Sequence, residues 1–387
     1  MRYGDSIFGQ LLKPLSRRAF ATIVERHDGD AYDKDFDSWD HLVALVYAQL
    51  SGVSSLRHLA SVWNASAHHH YHLGTGPVAR STLSDANGRR PVAVFEETFS
   101  MLSALADRTL RGEGAEMVRL IDSSPIPLGR LMQGRAWNGR IKGMKLHVVY
   151  DPGTDRPCRV DITPANVNDI EIGRDLAIER GSMNVFDKGY CSYPWWSKIH
   201  AAEAFFVTRK KDNARFRSIA KRPLAVTKGD GFEVLEDCEV RLTSKGDSKL
   251  AFPMRRIKVK RHKGGRLTLL TNDMMRTAVE IAALYKTRWQ IELMFRWLKQ
   301  HLNLARFLGR SDNAVHLQIL AAMIAYLLLR LAARDSYSKM PAIRFANLVA
   351  TCLFVRKPLA RLDKPPEVNA SRSKHHVSPD QLDFCYA

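Results

Sequence analysis

Cysteine is scarce in this sequence, and the cysteines present are widely spread. The chain has 5 cysteines in 387 residues, none of them in a Cys-x-x-Cys pair. They are Cys158, Cys191, Cys238, Cys352 and Cys385. An odd number with wide spacing argues against a disulfide framework and against a structural zinc site. We therefore expect a protein of a reducing compartment, the cytoplasm.

Long hydrophobic runs are also lacking. No window reaches the roughly 18 uncharged apolar residues that a membrane span requires, and the best run, 319–329, is ended by Arg330. The N-terminal segment has neither a continuous apolar stretch nor a small-residue cleavage site of the kind that secretory signals carry. The sequence thus predicts no membrane span and no secretory signal.

Acidic residues are the minority among the charged ones. Lys and Arg number 59 against 40 Asp and Glu, which gives a net charge of +19. Such an excess favours a polyanionic partner, with nucleic acid as the first candidate and an anionic membrane surface as the second. A hydrophobic content of 45% in a chain of this length is typical of two or three folded domains with packed cores.

Residues 1–100 have the pattern of a helical domain. Apolar residues recur at helical spacing over 40–50, Ser51-Gly52 breaks the pattern, and Ser54 or Ser55 is positioned to cap a second helix. A third short helix is expected from Ser81. Helix, glycine-containing turn and helix are compatible with a helix-turn-helix DNA reader, although any small helical domain contains such a turn.

A histidine cluster follows the second of these helices. It consists of His68, His69, His70 and His72. Since no Cys or acidic residue stands at ligand spacing, we interpret the cluster as a solvated run rather than as a metal site.

From residue 117 the pattern changes to strands. The run 117–122 ends in Asp122 and is followed by Ser123, Ser124 and Pro125, which we expect to stop the strand. Strands over 144–150 and 159–163, a helix over 169–179 and a short strand over 184–186 follow, and Asp187 stands at the end of the last one. A single aspartate at a strand end is usually a turn former.

This order of elements resembles the ribonuclease-H-like fold, in which the first and fourth strands are neighbours. That layout would bring Asp122 and Asp187 together, at the edge of the sheet where open sheets place reactive groups. The fold class predicted is α/β, with a ribonuclease-H-like catalytic core, a β-rich insertion and a helical N-terminal domain.

The segment 206–272 predicts the β-rich insertion. Short apolar strands alternate there with turns rich in Gly and Asp. The strand around 255–263 is strongly basic and includes Arg255, Lys258 and Lys260. Alternating cations often guard an edge strand against aggregation, but with the overall charge of the chain we favour a surface that binds DNA phosphates.

A helix over 285–299 carries an unusual polar face. Tyr285, Arg288, Glu292 and Lys299 lie three, seven and fourteen residues apart, so at the helical period they fall within an arc of roughly 60°. An apolar stripe on another side of the helix would pack on the core, and Trp289 and Trp297 are interleaved with the charges. A solvated amphipathic helix is the simpler interpretation of this stretch taken alone. The segment 312–330 is nearly all apolar, which predicts a buried core helix.

The spacing Tyr-x2-Arg-x3-Glu-x6-Lys resembles the signature of the DDE transposases of the insertion sequence 4 family, and all four positions match. Asp187-Lys188-Gly189-Tyr190 is similar to the second acidic motif of that family. The stretch 307–315, the pattern of the N-terminal helices and the insertion before the glutamate also resemble family features.

The resemblance implies a transposase that binds the terminal inverted repeats of its element, cuts DNA and joins the 3′-hydroxyl to target DNA. It implies that Asp122, Asp187 and Glu292 are catalytic and hold two Mg²⁺ or Mn²⁺ ions, with Asp122 bridging them. Hard carboxylate oxygens suit such ions, which can stabilise the attacking and leaving oxygens of a phosphodiester. Members of the family often form a hairpin intermediate and act as homodimers in a synaptic complex on double-stranded DNA.

The resemblance also implies DNA contacts around this helix. Tyr285, Arg288 and Lys299 would contact the terminal phosphates and help to hold a flipped base. Trp289 or Trp297 would stack on that base, although core packing is expected for at least one of them. Near the site strands, His147, Asn168 and Asp169 are candidates for a supporting role or for purely structural ones. These are in addition to the basic residues 255, 258 and 260 of the insertion.

We expect five regions: a helical DNA-binding domain over 1–100, the first part of the core over 115–205, the insertion over 206–272, the second part of the core over 273–335, and a helical region with a polar tail over 336–387. Two alternatives of other classes stay open. One is a metal-dependent nuclease or resolvase of the same fold, and the other is a non-catalytic DNA-binding regulator derived from a transposase.

Overall fold

The fold is taken from a computed structural model. It describes residues 5–364 except 32, 34, 113, 129–142, 244–249, 251, 303, 305–306 and 337–339. The predicted turn at 245–247 and the polar tail after residue 365 lie outside the described residues.

Seven α-helices lie in the described part of the N-terminal region. They are α1 (Ile7–Leu12), α2 (Arg17–Arg26), α3 (Ser38–Ser51), α4 (Leu56–Ala65), α5 (His70–Leu73), α6 (Arg80–Arg89) and α7 (Val92–Leu110). Side-chain caps fix several starts: Ser55 Oγ accepts from the His58 N–H at the start of α4. Gly52, with φ of 68°, ends α3 in the left-handed conformation that glycine adopts without strain.

Two details of this region differ from the prediction. Ser81 does not cap α6, because the helix begins one residue earlier, at Arg80, after Ala79. The histidine cluster is also not fully solvated: His70 is buried and stacks on Trp63 with ring centroids 4.4 Å apart. His69 stacks on Phe354 at 4.8 Å, so aromatic packing is part of what holds this cluster.

The central sheet begins with an antiparallel meander of the first three predicted strands. Strands β1 (Val118–Pro127), β2 (Gly143–Asp151) and β3 (Arg156–Pro164) pair in succession. Helix α8 (Asp169–Asp175), strand β4 (Met183–Phe186), helix α9 (Tyr193–Ala201) and strand β5 (Phe205–Arg209) follow. Strand β4 lies beside β1 and runs parallel to it, which confirms the predicted neighbourhood of the first and fourth strands.

Strand β1 does not stop at Ser123, as we expected from the Ser-Ser-Pro sequence. It continues to Pro127 because β2 pairs with it from Leu120, opposite Tyr150, to Pro127, opposite Gly143. Strand β4 pairs with β1 only as far as Ile121. Pro125 therefore lies where β1 has a partner on one side only, a position in which a sheet tolerates proline.

The β-rich segment extends the same sheet. Strands β6 (Phe216–Lys221), β7 (Lys228–Gly229), β8 (Phe232–Leu242), β9 (Met254–Arg261) and β10 (Arg266–Thr271) join it through the antiparallel pairing of β10 with β5. The strand order is β3-β2-β1-β4-β5-β10-β9-β8-β6, with β7 beside β8. The strands of the segment 206–272 are thus continuous with those of the preceding part of the chain.

Four helices complete the described part of the chain: α10 (Ala278–Thr287), α11 (Trp289–His301), α12 (Asp312–Asp335) and α13 (Ala342–Thr351). As predicted, α12 is a core helix, and it packs against α3 and α7 of the N-terminal region. Its length and composition would allow it to cross a membrane, but 89% of its most apolar window is buried inside the protein, which is typical of a core helix. The N-terminal helices and the sheet thus share one hydrophobic core around α12.

Candidate active site

The register of two parallel strands places Asp122 beside Asp187. The last residue pair between β1 and β4 is Ile121 with Phe186. Asp122 follows Ile121 directly in the sequence, and Asp187 follows Phe186. Neighbouring strands lie about 4.8 Å apart. The two carboxyl groups that are 65 positions apart in the sequence therefore begin from adjacent backbone positions.

The predicted helix over 285–299 is divided at Arg288. Helix α10 ends at Thr287 and α11 begins at Trp289, while Arg288 keeps right-handed helical torsions (φ −52°, ψ −30°). Its N–H donates to the Tyr285 carbonyl three residues back, which tightens the backbone at this point. The four polar residues of the predicted face remain on one side and point to the end of β1 and β4.

Arg288 joins two of the three predicted catalytic carboxylates. Its Nη1 donates to Asp122 Oδ2 over 3.0 Å, and its Nη2 donates to Glu292 Oε1 over 2.6 Å. The side chains of Arg288, Asp122 and Glu292 are 16%, 19% and 31% exposed. A charge-assisted contact of this kind is stronger in a partly buried place than on an open surface.

Asp187 is held by a second pair of groups. The Tyr285 hydroxyl donates to Asp187 Oδ1 over 3.1 Å, and Nη1 of Arg209 lies 3.8 Å from the same oxygen. Sequence reasoning missed Arg209. Its signal was available, because Arg209 ends β5 one residue after Thr208, which pairs with Phe186 of the parallel strand β4. Residues that end neighbouring parallel strands meet at one edge of the sheet.

Lys299 lies about two helical turns beyond Glu292 and reaches strand β1. Its Nζ donates to Ser124 Oγ over 2.7 Å, and partial burial lowers the pKa of its ammonium group. The polar face of the divided helix is therefore in contact with β1 through Arg288 and Lys299, and with the end of β4 through Tyr285.

The three carboxylates share one electrostatic environment. Burial raises the pKa of Asp122 to about 6, against the opposing effects of the Arg288 charge and the Ser123 N–H. The negative charges of Glu292 and Asp187 raise the pKa of Asp122 further. The sequence-based expectation of distant acids in one neighbourhood agrees with this geometry.

The donor set fits a divalent metal by its chemistry, but Arg288 occupies the space between two of the donors. Two aspartates and a glutamate supply the hard oxygens that Mg²⁺ and Mn²⁺ prefer. Within the described residues, however, no group of three His, Cys, Asp or Glu side chains is close enough to hold an ion. The Arg288 guanidinium, shared by Asp122 and Glu292, takes the position of a cation between them.

A layer behind β1 supports the site. Ser123 follows Asp122 in the chain, and its Oγ donates to Asp169 Oδ1 over 2.7 Å. Lys145 Nζ donates to the same oxygen over 3.1 Å. His147 is 2% exposed, bonds to a threonine hydroxyl, and has its pKa lowered to about 4 by burial. These residues contact the neighbours of the catalytic candidates. Asn168 instead bonds to Glu171 on the outside.

The two tryptophans of α11 have different environments. Trp297 packs edge-on against Tyr326 with ring centroids 5.1 Å apart. Trp289 is 49% exposed, with the Arg296 guanidinium 5.6 Å above its ring. Trp289 also lines a cavity of about 440 Å³, together with Tyr285, Arg288 and the turn at 261–263 between β9 and β10.

The basic strand β9 has two different faces. Arg255 is 1% exposed, forms a bidentate ion pair with Asp237 and donates to two backbone carbonyls. It has no surface to offer to DNA, which corrects the prediction that it binds DNA. The reason is the two-residue period of a strand: Arg255 shares the inward face with Ile257 and Val259. Lys258 pairs with Glu236 at 2.7 Å on the other face, and Lys260 is exposed.

The sequence matches known families and proteins. A family profile described as "Transposase DDE domain" matches residues 113–328, and one described as "Domain of unknown function (DUF4372)" matches residues 3–76. A protein of Sinorhizobium fredii named "Putative transposase y4zB" is 58% identical over 304 residues, which cover 79% of this chain and 85% of the relative.

Two further relatives are more distant. The "Probable transposase for insertion sequence element IS5377" of Geobacillus stearothermophilus is 28% identical over 65% of this chain and 66% of its own length. The "Putative transposase for insertion sequence element IS4SA" of a Synechocystis species is 27% identical over 65% of this chain and 71% of the relative. The part of the chain that matches the transposase family profile, 113–328, includes β1, β4 and α11, which carry the site.

Proposed function

The chain belongs to the DDE transposases, in agreement with its resemblance to the insertion sequence 4 family, and from this premise we propose a cut-and-paste reaction. The protein binds the terminal inverted repeats of an insertion sequence, cleaves the DNA with divalent metal ions and joins the 3′-hydroxyl ends to target DNA. The observation that carries the proposal is the contact of Asp122 and Glu292 with Arg288, together with the position of Asp187 beside Asp122 at the ends of β4 and β1.

In this proposal Asp122, Asp187 and Glu292 are the catalytic carboxylates and the ligands of two Mg²⁺ or Mn²⁺ ions. Bound ions would supply charge stabilisation to the attacking and leaving oxygens of the phosphodiester. Arg288 has to leave the gap between Asp122 and Glu292 before the carboxylates can bind cations. A phosphate of the DNA end offers the guanidinium a new anionic partner with matching bidentate geometry.

The other residues of the polar face would hold the DNA end. Lys299 adds a positive charge next to β1, and Tyr285 positions Asp187 through its hydroxyl. Of the two tryptophans of α11, Trp289 is the exposed one, and the cavity beside it has the volume, about 440 Å³, to receive an unstacked base. Lys258 and Lys260 would contact the DNA backbone on the outer face of β9.

The wider features of the family complete the proposal. The order β3-β2-β1-β4-β5 with α8 between β3 and β4 supports a ribonuclease-H-like core over 115–205 and 273–335. The segment 206–272 is the β-rich insertion, residues 1–100 read the DNA end, and the region after 336 forms the C-terminal part. The enzyme would act in the cytoplasm on double-stranded DNA, as a homodimer in a synaptic complex.

A strand-joining assay tests the proposal. The full chain is incubated with Mg²⁺, a labelled duplex that carries the element end and an unlabelled target duplex. We expect cleavage at the element end and transfer of the label to the target. A nuclease or resolvase would cut without transfer, and a non-catalytic regulator would bind without cutting.

Single substitutions assign the chemistry to the site. Asp122→Ala, Asp187→Ala and Glu292→Ala should each abolish cleavage and leave end binding within a few-fold of the unchanged protein. Glu25→Ala, which removes an exposed carboxylate from α2, is the matched control and should cut normally. If a carboxylate variant still cuts, that residue does not belong to the site.

A further inference from the structure

A basic cavity, whose lining includes none of the three carboxylates, lies between the N-terminal helices and the turn that leads into α12. We call it the arginine groove. It has a volume of about 660 Å³, and its polar lining includes Ser55, Arg57, Arg80, Ser84, Arg310 and Ser311. Residues from two distant parts of the sequence, 55–88 and 308–314, thus form one concave surface.

The charge of the groove is of one sign. Its lining contains the three arginines and no Asp or Glu, although Asp85 and Asp312 are close in sequence. Arg57, Arg80 and Arg310 are exposed. None of the three has an ion pair or a side-chain hydrogen bond among the residues that the structure describes.

Nearby arginines show the contrast. Arg89 and Arg90, at the end of α6, are both paired with Asp33, and Arg90 is 2% exposed. Their charges are used inside the fold. The three groove arginines have no such carboxylate partner among the described residues, and they line one cavity.

Two helix starts add to the positive potential. Ser55 caps the 10-residue helix α4, and Ser311 caps the 24-residue helix α12 through the Ala314 N–H. Both serines line the groove. The N-terminal end of a helix carries a partial positive charge and favours anions.

The two sides of the groove are fixed to each other. Asn313 Nδ2 donates to the carbonyls of Asn87 and Arg90 over 3.0 and 2.9 Å. The Asn87 side chain is itself fixed by His41, whose Nε2 lies 3.0 Å from the Asn87 Oδ1. A Cβ at Gly309 would lie 2.4 Å from the Ala314 Cβ, so the turn approaches α12 as closely as only glycine allows. These contacts fix the backbone segments that carry the three arginines relative to each other.

We infer that the arginine groove binds the sugar–phosphate backbone of the transposon DNA, independently of base sequence. Arginine suits phosphate because its planar guanidinium donates two parallel hydrogen bonds, and three arginines on one concave surface of about 660 Å³ can contact more than one phosphate of a strand. The inference rests on the proposed function. It adds that DNA contacts span both sides of the boundary between the N-terminal helices and the catalytic region, and that Arg310, in the turn between α11 and α12, takes part.

The groove variant is Arg57→Ala/Arg80→Ala/Arg310→Ala in the full chain. The matched control is Arg18→Ala/Arg108→Ala/Arg344→Ala, which removes the same charge from exposed positions of α2, α7 and α13. Deleting the N-terminal region is unsuitable, because α12 packs against α3 and α7. Thermal unfolding and circular dichroism of both variants should match the unchanged protein, since all six side chains are exposed.

Binding is measured by fluorescence anisotropy without divalent metal, on an element-end duplex and on an unrelated duplex, over a range of salt concentrations. We expect the groove variant to bind both duplexes at least tenfold more weakly at low salt. The slope of log affinity against log salt should decrease in magnitude by about 2 to 3, since each phosphate contact contributes about 0.9. In the control triple variant, both the affinity and the slope should decrease clearly less.

Unchanged affinity and slope in the groove variant would overturn the inference. A loss equal to that of the control would overturn it as well, since the effect would then come from net charge. A second measurement uses inorganic phosphate, added at constant ionic strength, to test whether the groove binds a small anion. If it raises the unfolding temperature of the unchanged protein but not of the groove variant while DNA binding stays equal, the groove holds a small anion and not DNA.

The outcome is separable from that of the proposed function. If the unchanged protein neither cuts nor joins element ends, the proposed function fails. If it does both and the groove variant binds DNA as tightly, only the groove inference fails.

Discussion

Nη1 of Arg288 donates to Oδ2 of Asp122 over 3.0 Å, and Nη2 of the same arginine donates to Glu292. One guanidinium therefore bridges two carboxylates that the proposed chemistry needs for metal ions. In the absence of DNA, this contact would compete with the cation binding that we propose. Contact with a DNA phosphate would relieve the competition, so that binding of the DNA end and loading of the site become coupled.

Arg288→Met tests this competition. The DNA-free variant should bind Mn²⁺ more tightly than the unchanged protein, because Asp122 and Glu292 lose their competing cation. If the contact contributes about 1.5 kcal/mol, the gain is roughly tenfold. Titration of free Mn²⁺ by electron paramagnetic resonance measures it. The same variant should bind the element end more weakly.

Arg209→Met is the matched control for that titration. Arg209 is 3.8 Å from Asp187 and does not lie between two carboxylates, so its removal should change Mn²⁺ affinity less. An equal Mn²⁺ affinity for the Arg288 variant and the unchanged protein would contradict the competition.

Lys299 should contribute through its charge. In Lys299→Ala we expect weaker binding of the element end and a salt dependence reduced by about one unit of slope, as for one lost phosphate contact. The measurement is anisotropy over a salt series. Ser124→Ala is the control, because it removes the partner of Lys299 and leaves the ammonium group. A slope that is unchanged in Lys299→Ala would remove Lys299 from the DNA interface.

The raised pKa of Asp122 predicts a pH-dependent stability effect. Its folded-state pKa of about 6 exceeds the unfolded value of about 3.9. The folded state therefore favours the protonated carboxyl, and the stability from this group is lost as pH rises from 4 to 6 and above. In metal-free buffer, Asp122→Asn should stabilise the protein by about 1 to 2 kcal/mol at pH 7 and by almost nothing at pH 4.

Urea unfolding at the two pH values measures this difference. Glu25→Gln, which changes an exposed carboxylate of α2, should show no comparable increase between pH 4 and pH 7. A constant difference between Asp122→Asn and the unchanged protein at both pH values would mean that Asp122 titrates normally.

Local patterns in the sequence predicted the acidic residues but not all of their partners. Asp122 and Asp187 follow short apolar runs, and the period of a helix places Arg288 with Glu292, so these positions could be found. The pairing of β10 with β5 could not, because it joins residues about 60 positions apart, and no local signal sets such a register. Arg255 shows the opposite case: its two-residue alternation with Ile257 indicated an inward position, and the charge of the segment hid it.

The break at Arg288 also could not be predicted. The residues from 278 to 301 have a continuous helical pattern, and Arg288 keeps helical torsions. The backbone is tightened where its side chain reaches Asp122 on β1. That contact depends on the packing of α11 against the sheet, which is tertiary information.

The two tryptophans of α11 should separate DNA handling from stability. Trp297→Ala removes a ring that packs against Tyr326, so we expect a loss of about 3 kcal/mol in the free energy of unfolding. Trp289→Ala removes a ring that is 49% exposed and should leave stability within about 0.5 kcal/mol. It should instead slow cleavage at the element end, because a flipped base would lose its stacking surface.

Urea unfolding and single-turnover cleavage measure the two effects. Leu293→Ala, at another exposed position of α11, is the control and should alter cleavage little. If Trp289→Ala cuts at the normal rate, its ring does not hold a base, and the cavity beside Tyr285 serves another purpose.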